Sequence, residues 1–209
     1  PRLQTTTFTY TDTVNGANNH RKTRMTDSTG VITDYDYDNG WLTQKTVAPG
    51  TSGASVSAYN YDPDGNLTGS IDPSGVSTTA TFDANGNKVT QTVAAGATMS
   101  DGSVPGTLTT NWTYNEFNKP VTETDALGRS TRWAYDKRGN VTTQIIKLES
   151  SKNAVTTWTR NDSAHPDEVT TMTDPIGVVT TFTYTAEGFV QTRTTRTGPV
   201  QTVADLAAT

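Results

Sequence analysis

Cysteine is absent from this 209-residue chain, which excludes disulfide bonds, thiolate metal sites and a thiol nucleophile. Basic residues are few: 16 Lys and Arg stand against 21 Asp and Glu, giving a net charge of −5 and a pI near 4.9. An acidic balance of this kind argues against nucleic acid or an anionic membrane as the main partner. No run of about 18 apolar residues occurs, so we expect no membrane insertion.

Hydrophobic residues are also scarce, at 32% of the chain, and the mean hydropathy is −0.59. This content is low for a domain with a thick, two-sided core. The chain is nevertheless too rich in Thr, Val and aromatic residues for plain disorder. Threonine is β-branched and suits a pleated, half-exposed surface better than a helix. The composition therefore predicts an all-β fold.

Asp followed three residues later by Gly is far commoner than composition predicts, since chance gives about 1.3 such pairs. In a type I turn, Asp at the first position accepts backbone N–H groups, Pro favours the second, and Gly accepts the left-handed conformation at the fourth. We therefore predict short loops that join antiparallel strands, each with its Gly in a bulge. The seven pairs begin at Asp27, Asp62, Asp72, Asp83, Asp125, Asp136 and Asp174.

Two kinds of turn alternate along the chain, one preceded by an aromatic residue and the other by Thr or Ile. One full unit is strand, turn, strand, turn in about 21 residues, which leaves roughly seven residues for each strand. Each unit is thus predicted to be a β-hairpin. Eight units are recognised by the residue at the aromatic position: Tyr10, Tyr37, Tyr61, Phe82, Tyr114, Tyr135, Arg160 and Tyr184.

Several units depart from the pattern. Asn118 stands where a turn Gly is expected, and Asn is the next-best residue for the left-handed region. Arg160 replaces the aromatic residue, and the sequence NDSAHPDE at 161–168 interrupts the seventh unit. Gly, Ser and Pro are concentrated at 48–57 and 94–107, which we predict to be longer surface loops. Residues 203–209 are the one candidate for a short helix.

The alternating turns resemble those of the YD-repeat, or Rhs-repeat, family, and units of this kind extend from about Tyr10 to Thr195. The resemblance implies tandem antiparallel β-hairpins side by side in a spiralling sheet, part of a hollow shell. Residues 1–209 are accordingly interpreted as a single repeat segment of about eight hairpins, a fragment of a longer protein. The residues that carry the resemblance are Tyr61-Asp62-Gly65, Asp72-Pro73-Gly75, Tyr135-Asp136-Gly139 and Asp174-Pro175-Gly177.

The same resemblance implies a function. In bacterial polymorphic toxins and insecticidal toxin complexes of this family, the shell encloses a C-terminal toxin polypeptide. We therefore expect a non-catalytic shell segment of a secreted bacterial protein, with further repeats of the same parent chain and the enclosed toxin as its partners. Secretion or toxin-complex subunits are further candidate partners. The alternative is an extracellular adhesion module that binds glycans or proteins, as in the related teneurins. The family's self-cleaving aspartates have no matching block here, so autoproteolysis is not expected.

Catalytic chemistry has little support in the sequence. The two histidines, His20 and His165, lie in polar, non-repeating stretches, and we interpret them as surface residues rather than a catalytic or metal-binding pair. No nucleophile elbow and no phosphate-binding Gly loop is found. No catalytic, cofactor-binding or metal-binding residue and no cofactor is assigned.

Calcium is an alternative for Asp34, Asp36 and Asp38, which alternate like the ligands of an oxygen-rich loop. An EF-hand, however, needs Gly where Asn39 stands and Glu where Lys45 stands. We favour the interpretation that these aspartates belong to a repeat strand and its turn.

Four tryptophans could stack on sugar rings, because they are flanked by polar residues. Three of them, Trp112, Trp133 and Trp158, lie two residues before an aromatic position, and the fourth is Trp41. The favoured interpretation is structural: rings at equivalent positions of successive hairpins would form a ladder.

Overall fold

A computed structural model describes residues 5–15, 18–94, 106–148 and 153–197. Among these residues there are sixteen β-strands and no helix, which confirms the all-β prediction. In particular, none of them forms a helix with the length and hydropathy needed to cross a membrane. The predicted helix at 203–209 and most of the predicted loop at 94–107 lie outside the described ranges.

The chain forms two compact units, residues 1–109 and 110–209, and each of these larger units contains several hairpin repeats. The first unit contains eight strands, and each is hydrogen-bonded to the next one along the chain in antiparallel pairs. Their bounds are β1 Thr7–Asn15, β2 Asn18–Thr26, β3 Ile32–Asp38, β4 Trp41–Val47, β5 Ser55–Tyr61, β6 Leu67–Ile71, β7 Ser77–Phe82 and β8 Lys88–Ala94. The loop predicted at 48–57 ends earlier than expected, because β5 already begins at Ser55.

The second unit has the same antiparallel arrangement in chain order. Its strands are β9 Leu108–Tyr114, which crosses the boundary between the units, β10 Pro120–Thr124, β11 Ser130–Tyr135, β12 Val141–Lys147, β13 Asn153–Thr159, β14 Thr171–Thr173, β15 Val178–Tyr184 and β16 Val190–Thr197. The three-residue β14 follows the segment 161–168, as expected for an interrupted hairpin.

Each strand alternates between two chemically different faces, because successive side chains of a strand point to opposite sides. In β11, Thr131, Trp133 and Tyr135 share one face, while Ser130 and Arg132 lie on the other. The strand register places the aromatic residues of this face beside large side chains of the next strand. Trp133 lies opposite Gln144 of β12, and Trp158 of β13 lies opposite Met172 of β14.

Neither unit has an ordinary hydrophobic core. No hydrophobic residue in the described ranges is fully buried, and the four residues that are buried are polar: Thr33, Asp34, Thr46 and Thr180. Both faces of the sheet are therefore partly open to solvent, in keeping with the low hydrophobic content. Such a sheet is held together mainly by its hydrogen-bonded ladders, its turns and its cross-strand side-chain pairs.

Candidate functional site

The repeated turn is the most regular chemical feature of the chain. In the turn at 72–75, the Asp72 Oδ1 atom accepts hydrogen bonds from the backbone N–H of Ser74 at 2.8 Å and of Val76 at 3.0 Å. The N–H of Gly75 donates to the Asp72 carbonyl at 2.9 Å, and Gly75 has a φ of 87°. The carboxylate thus satisfies two backbone donors and closes the turn, as the sequence predicts. The Asp at the first position accepts the same two N–H groups in the turns at 27–30, 62–65, 83–86, 125–128, 136–139 and 174–177.

Hydrogen bonding also sets the charge state of these carboxyls. A hydrogen bond from the Ser74 hydroxyl, together with the backbone N–H groups, lowers the pKa of Asp72 below its usual value. The Asn87 amide has the same effect on the pKa of Asp83, since its Nδ2 donates to the Asp83 Oδ2 at 3.0 Å. These turns therefore carry ionised acceptors at neutral pH.

A β-bulge lies opposite the aromatic position. The register shifts just before Tyr61, Phe82, Tyr135 and Tyr184, and each of these residues immediately precedes a turn whose fourth residue has a positive φ. The extra residue of the bulge lies in the following strand, three residues after the turn Gly, and is Thr68, Val89, Thr142 or Gln191 in the four hairpins. The recurring aromatic-Asp-x-x-Gly sequence therefore places a bulge at one end of each of these hairpins.

Side chains at this position hold the neighbouring hairpin by its backbone. The Tyr135 hydroxyl donates to the carbonyl oxygen of Pro120 at 2.6 Å, and the Tyr184 hydroxyl donates to that of Val169 at 2.7 Å. Burial raises the pKa of Tyr135, so the hydroxyl remains a donor at neutral pH. Arg160, which stands at the aromatic position of the seventh hairpin, makes an equivalent hydrogen bond. Its Nη1 donates to the Val141 carbonyl at 2.7 Å.

The expected ladder of rings needs a correction. Residues at successive aromatic positions lie two strands apart, about 10 Å, which is too far for direct ring stacking. A ring contact is instead made with the strand between them: Trp41 stacks on Tyr61 with centroids 5.2 Å apart. A Cβ atom added at Gly65 would collide with the Trp41 ring, so this ring lies directly on the turn backbone. Trp112, Trp133 and Trp158 are half-buried, whereas Trp41 is 44% exposed.

The alternating aspartates of β3 face a row of basic side chains on β2. Asp34 is only 2% exposed and accepts hydrogen bonds from the Nε and Nη2 atoms of Arg24 at 2.6 and 2.7 Å. Lys22 Nζ lies 3.2 Å from Asp34 and 3.4 Å from Asp36. The Arg24 guanidinium lowers the pKa of Asp34, its largest effect coming from the hydrogen bond.

This arrangement bears on the calcium hypothesis. The Lys22 ammonium group already lies between the Asp34 and Asp36 carboxylates. These carboxylate oxygens therefore do not converge on an open position. Within the ranges that the structure describes, no group of three or more His, Asp or Glu residues could hold a metal ion.

Each histidine pairs with an aspartate of its own unit. The His20 Nδ1 atom lies 2.7 Å from Asp38 Oδ1 across β2 and β3. The His165 Nδ1 atom lies 2.9 Å from Asp162 Oδ2 within the segment 161–168, and its ring packs against Tyr184 with centroids 5.9 Å apart. Sequence reasoning treated this segment as an interruption and did not find its contacts, because they involve residues about 20 positions away.

Comparison with known families finds one match to the repeats. The RHS Repeat family matches residues 61–98 and 105–147. These segments contain five of the Asp-x-x-Gly turns described above and the bulges opposite Tyr61, Phe82 and Tyr135. In these two segments the chain is similar to the RHS Repeat family. No curated protein sequence matches the chain.

Solved structures resemble this chain in fold. A crystal structure of TcdB2-TccC3 matches with a TM-score of 0.66, and a crystal structure of TcdB2-TccC3-Cdc42 with 0.65; each match covers 84% of this chain at 17% identity. The Tc holotoxin pore of Photorhabdus luminescens matches with a TM-score of 0.67 over 85% of the chain, also at 17% identity. The chain spans about a tenth of the length of these structures. The likeness therefore concerns the fold of a segment.

Proposed function

We propose that residues 1–209 form a single, non-catalytic wall segment of a secreted bacterial Rhs toxin-type protein, and that the wall encloses a C-terminal toxin polypeptide of the same parent chain. One observation carries this proposal: each unit is a sheet of side-by-side hairpins with no fully buried hydrophobic residue in its described part. A sheet that needs no second layer behind it suits a thin wall with solvent or another polypeptide on either side.

Two further observations support a wall rather than an enzyme. The Asp residues that recur in the repeats lie in the turns, where their side chains accept hydrogen bonds from backbone N–H groups of the same turn. Side chains at the aromatic position bond to the neighbouring hairpin, as Tyr135 does with Pro120. These groups are occupied in holding adjacent hairpins together, which is the work required of a wall.

The partners follow from the same proposal. Further Rhs repeats of the parent chain would continue the sheet, and the toxin polypeptide would be held by enclosure rather than by high affinity. One structural neighbour is named as a Tc holotoxin pore, which supports toxin-complex subunits as additional partners and an extracellular destination.

Limited proteolysis of the intact parent protein tests the proposal. A closed wall predicts that a C-terminal domain survives protease while the same domain is digested after the particle is opened in denaturant. The denatured sample is the control, because it shows that the domain contains cleavable sites. Digestion at equal rates in both samples would overturn the proposal.

An adhesive module that binds glycans is the second candidate, and the exposed Trp41 ring is the observation in its favour. A glycan array probed with the wild-type chain and with Trp41→Ala and Trp133→Ala variants distinguishes the two functions. Selective binding that is lost only in Trp41→Ala would favour adhesion. The wall proposal predicts no selective binding, since Trp41 packs on Tyr61 and Gly65.

A further inference from the structure

Residues 161–168, called the strap below, lie in the connection from β13 to β14. The corresponding connections at 62–65, 83–86, 115–118, 136–139 and 185–188 are four-residue turns. The strap has local structure of its own: the N–H of His165 donates to the Asp162 carbonyl at 3.3 Å, and the N–H of Glu168 donates to the His165 carbonyl at 3.1 Å. The strap lies between the turn at 136–139 and the turn at 185–188, in the second unit.

The strap is attached to the preceding turn through Asp167. Asn140, at the end of that turn, donates from Nδ2 to Asp167 Oδ1 at 2.9 Å. The Arg160 Nε atom donates to the Asp167 carbonyl at 3.1 Å, while its Nη1 is bound to Val141. Arg138 Nη1 lies 3.8 Å from the Asp167 carboxylate at an exposed position. These contacts join an amide, two guanidinium groups, a backbone carbonyl and a carboxylate, and none of them involves a histidine.

The strap is attached to the following turn through His165. The His165 Nε2 atom lies 3.4 Å from the carbonyl oxygen of Ala186, and a Cβ added at Gly188 would touch the imidazole at 3.6 Å. The imidazole is only 14% exposed, because it packs on Tyr184 on one side and is held by Asp162 on the other.

The two nitrogens of this imidazole both face acceptors. A carbonyl oxygen can only accept, and an ionised carboxylate can only accept, so both contacts are satisfied together only when both ring nitrogens carry protons. That form is the imidazolium cation. In a neutral ring that keeps its proton on Nδ1 for Asp162, Nε2 has a lone pair that faces the lone pairs of the Ala186 oxygen.

We propose that the strap is a pH-dependent clasp that joins three successive hairpin ends: its attachment through Asp167 is permanent, and its attachment to the turn at 185–188 closes when His165 is protonated. Loss of the proton releases the following turn and leaves the preceding turn attached. The proposed wall would thus be tightest at this point in acidic medium and loosen as His165 loses its proton.

The charges around His165 agree with this direction. The hydrogen bond with Asp162 raises the pKa of His165 above its usual value, with help from the Ala186 carbonyl and the nearby Glu168, while burial opposes them. From the following hairpin, Tyr184 has its hydroxyl bound to Val169, and Glu187 is bonded to Thr185. A raised folded pKa means that the contact is complete below the ordinary His pKa and is lost as pH rises through the folded value.

Hydrogen exchange of the complete 209-residue chain tests the clasp. After correction for the intrinsic pH dependence of exchange, we expect protection of amides at 185–188 to fall severalfold between about pH 5 and about pH 9. Protection at 136–140 should stay unchanged. A His165→Gln variant should lose the difference, and His20→Gln, which alters the other histidine, should keep it.

Two results would overturn the clasp. One is equal protection of 185–188 at both pH values in the wild-type chain, and the other is an unchanged pH response in His165→Gln. If His165→Gln does not fold, NMR titration of the wild-type imidazole decides. A midpoint above about 6.5 supports the clasp, and a midpoint at or below that value contradicts it.

Discussion

The hydroxyl of Tyr135 donates a hydrogen bond to the backbone carbonyl of Pro120, and the hydroxyl of Tyr184 makes the same bond with Val169. In both cases the acceptor is 15 residues earlier in the chain. The tyrosine thus ties its own strand to the preceding hairpin, at the first residue of β10 in one case and two residues before β14 in the other. Arg160 makes an equivalent bond with Val141, so the residue type can change while the contact is retained.

Removing one hydroxyl should weaken this connection. We expect Tyr135→Phe to lower the free energy of unfolding by about 1 kcal/mol, because the ring remains in place and only the hydrogen bond is lost. Tyr10→Phe is the matched control, since Tyr10 is 68% exposed. Chemical denaturation measures both variants. Equal stability of the two would show that the Tyr135 bond contributes nothing.

Gly65 is required by the Trp41 ring as well as by its own backbone. Gly65→Ala should cost about 1–2 kcal/mol from the positive φ of 87° and a further 1–3 kcal/mol from overpacking against Trp41. Gly128→Ala isolates the first cost, because Gly128 has a φ of 76° and open space around its Cα. Thermal melting should rank Gly65→Ala clearly below Gly128→Ala. A similar melting temperature for both would contradict the packing of Trp41 on the turn.

The turn glycines should be less replaceable than loop glycines. Gly139→Val should destabilise the chain by at least about 1 kcal/mol, since a β-branched residue resists the φ of 84° found there. Gly53→Val should cost much less, because Gly53 has no positive φ and nothing within 4 Å of an added Cβ. Melting temperatures that coincide for the two variants would count against the role of the turn.

Acid should weaken the turns together. Hydrogen bonds hold the pKa of six turn aspartates below the ordinary value, so their contribution to stability is present above that value and is lost as pH falls through the folded pKa. We expect the denaturation midpoint to be flat from about pH 7 to about pH 5 and to fall below about pH 4.

An amide provides the control for this acid effect. Asn115 already caps its turn, with its Oδ1 atom accepting the N–H groups of Phe117 at 3.0 Å and Lys119 at 2.9 Å. Asp→Asn changes at the six turns should therefore preserve the fold while flattening the response to acid. A wild-type chain whose stability does not change down to about pH 3 would be inconsistent with ionised caps.

The Arg24–Asp34 pair should matter more than the His20–Asp38 pair on the same strands. Asp34→Ala is expected to cost about 2 kcal/mol, because it removes two hydrogen bonds to a charged group and leaves Lys22 without its closest partner. Asp38→Ala should cost less than about 1 kcal/mol, since both partners of that pair are exposed. Urea denaturation at low salt measures both, and a reversed order would disprove the ranking.

The fold was largely predictable from the sequence because its specificity lies in short local patterns. Asp72-Pro73-Ser74-Gly75 contains the cap, the fixed φ and the left-handed residue of one turn, so the turn can be derived without knowledge of the rest of the chain. The start of β5 was misplaced because Ser55 and Ser57 are weak strand formers that pair with β4 all the same.

The cross-strand contacts could not be predicted in the same way. The alternation of Asp34 and Asp36 was visible, but its meaning depends on the register that places Arg24 and Lys22 opposite them. The role of Arg160 depends on a carbonyl 19 residues earlier in the chain. The contact of His165 with Ala186 depends equally on how two separate connections lie beside each other. No local pattern contains this information.

Electron cryo-microscopy of the intact parent protein tests the central claim most directly. The proposed wall predicts that the hairpins of each unit appear as a single-layer sheet, with density for a further polypeptide on one side of it. An open sheet without enclosed density, or a second sheet packed against either face of these hairpins, would contradict the account.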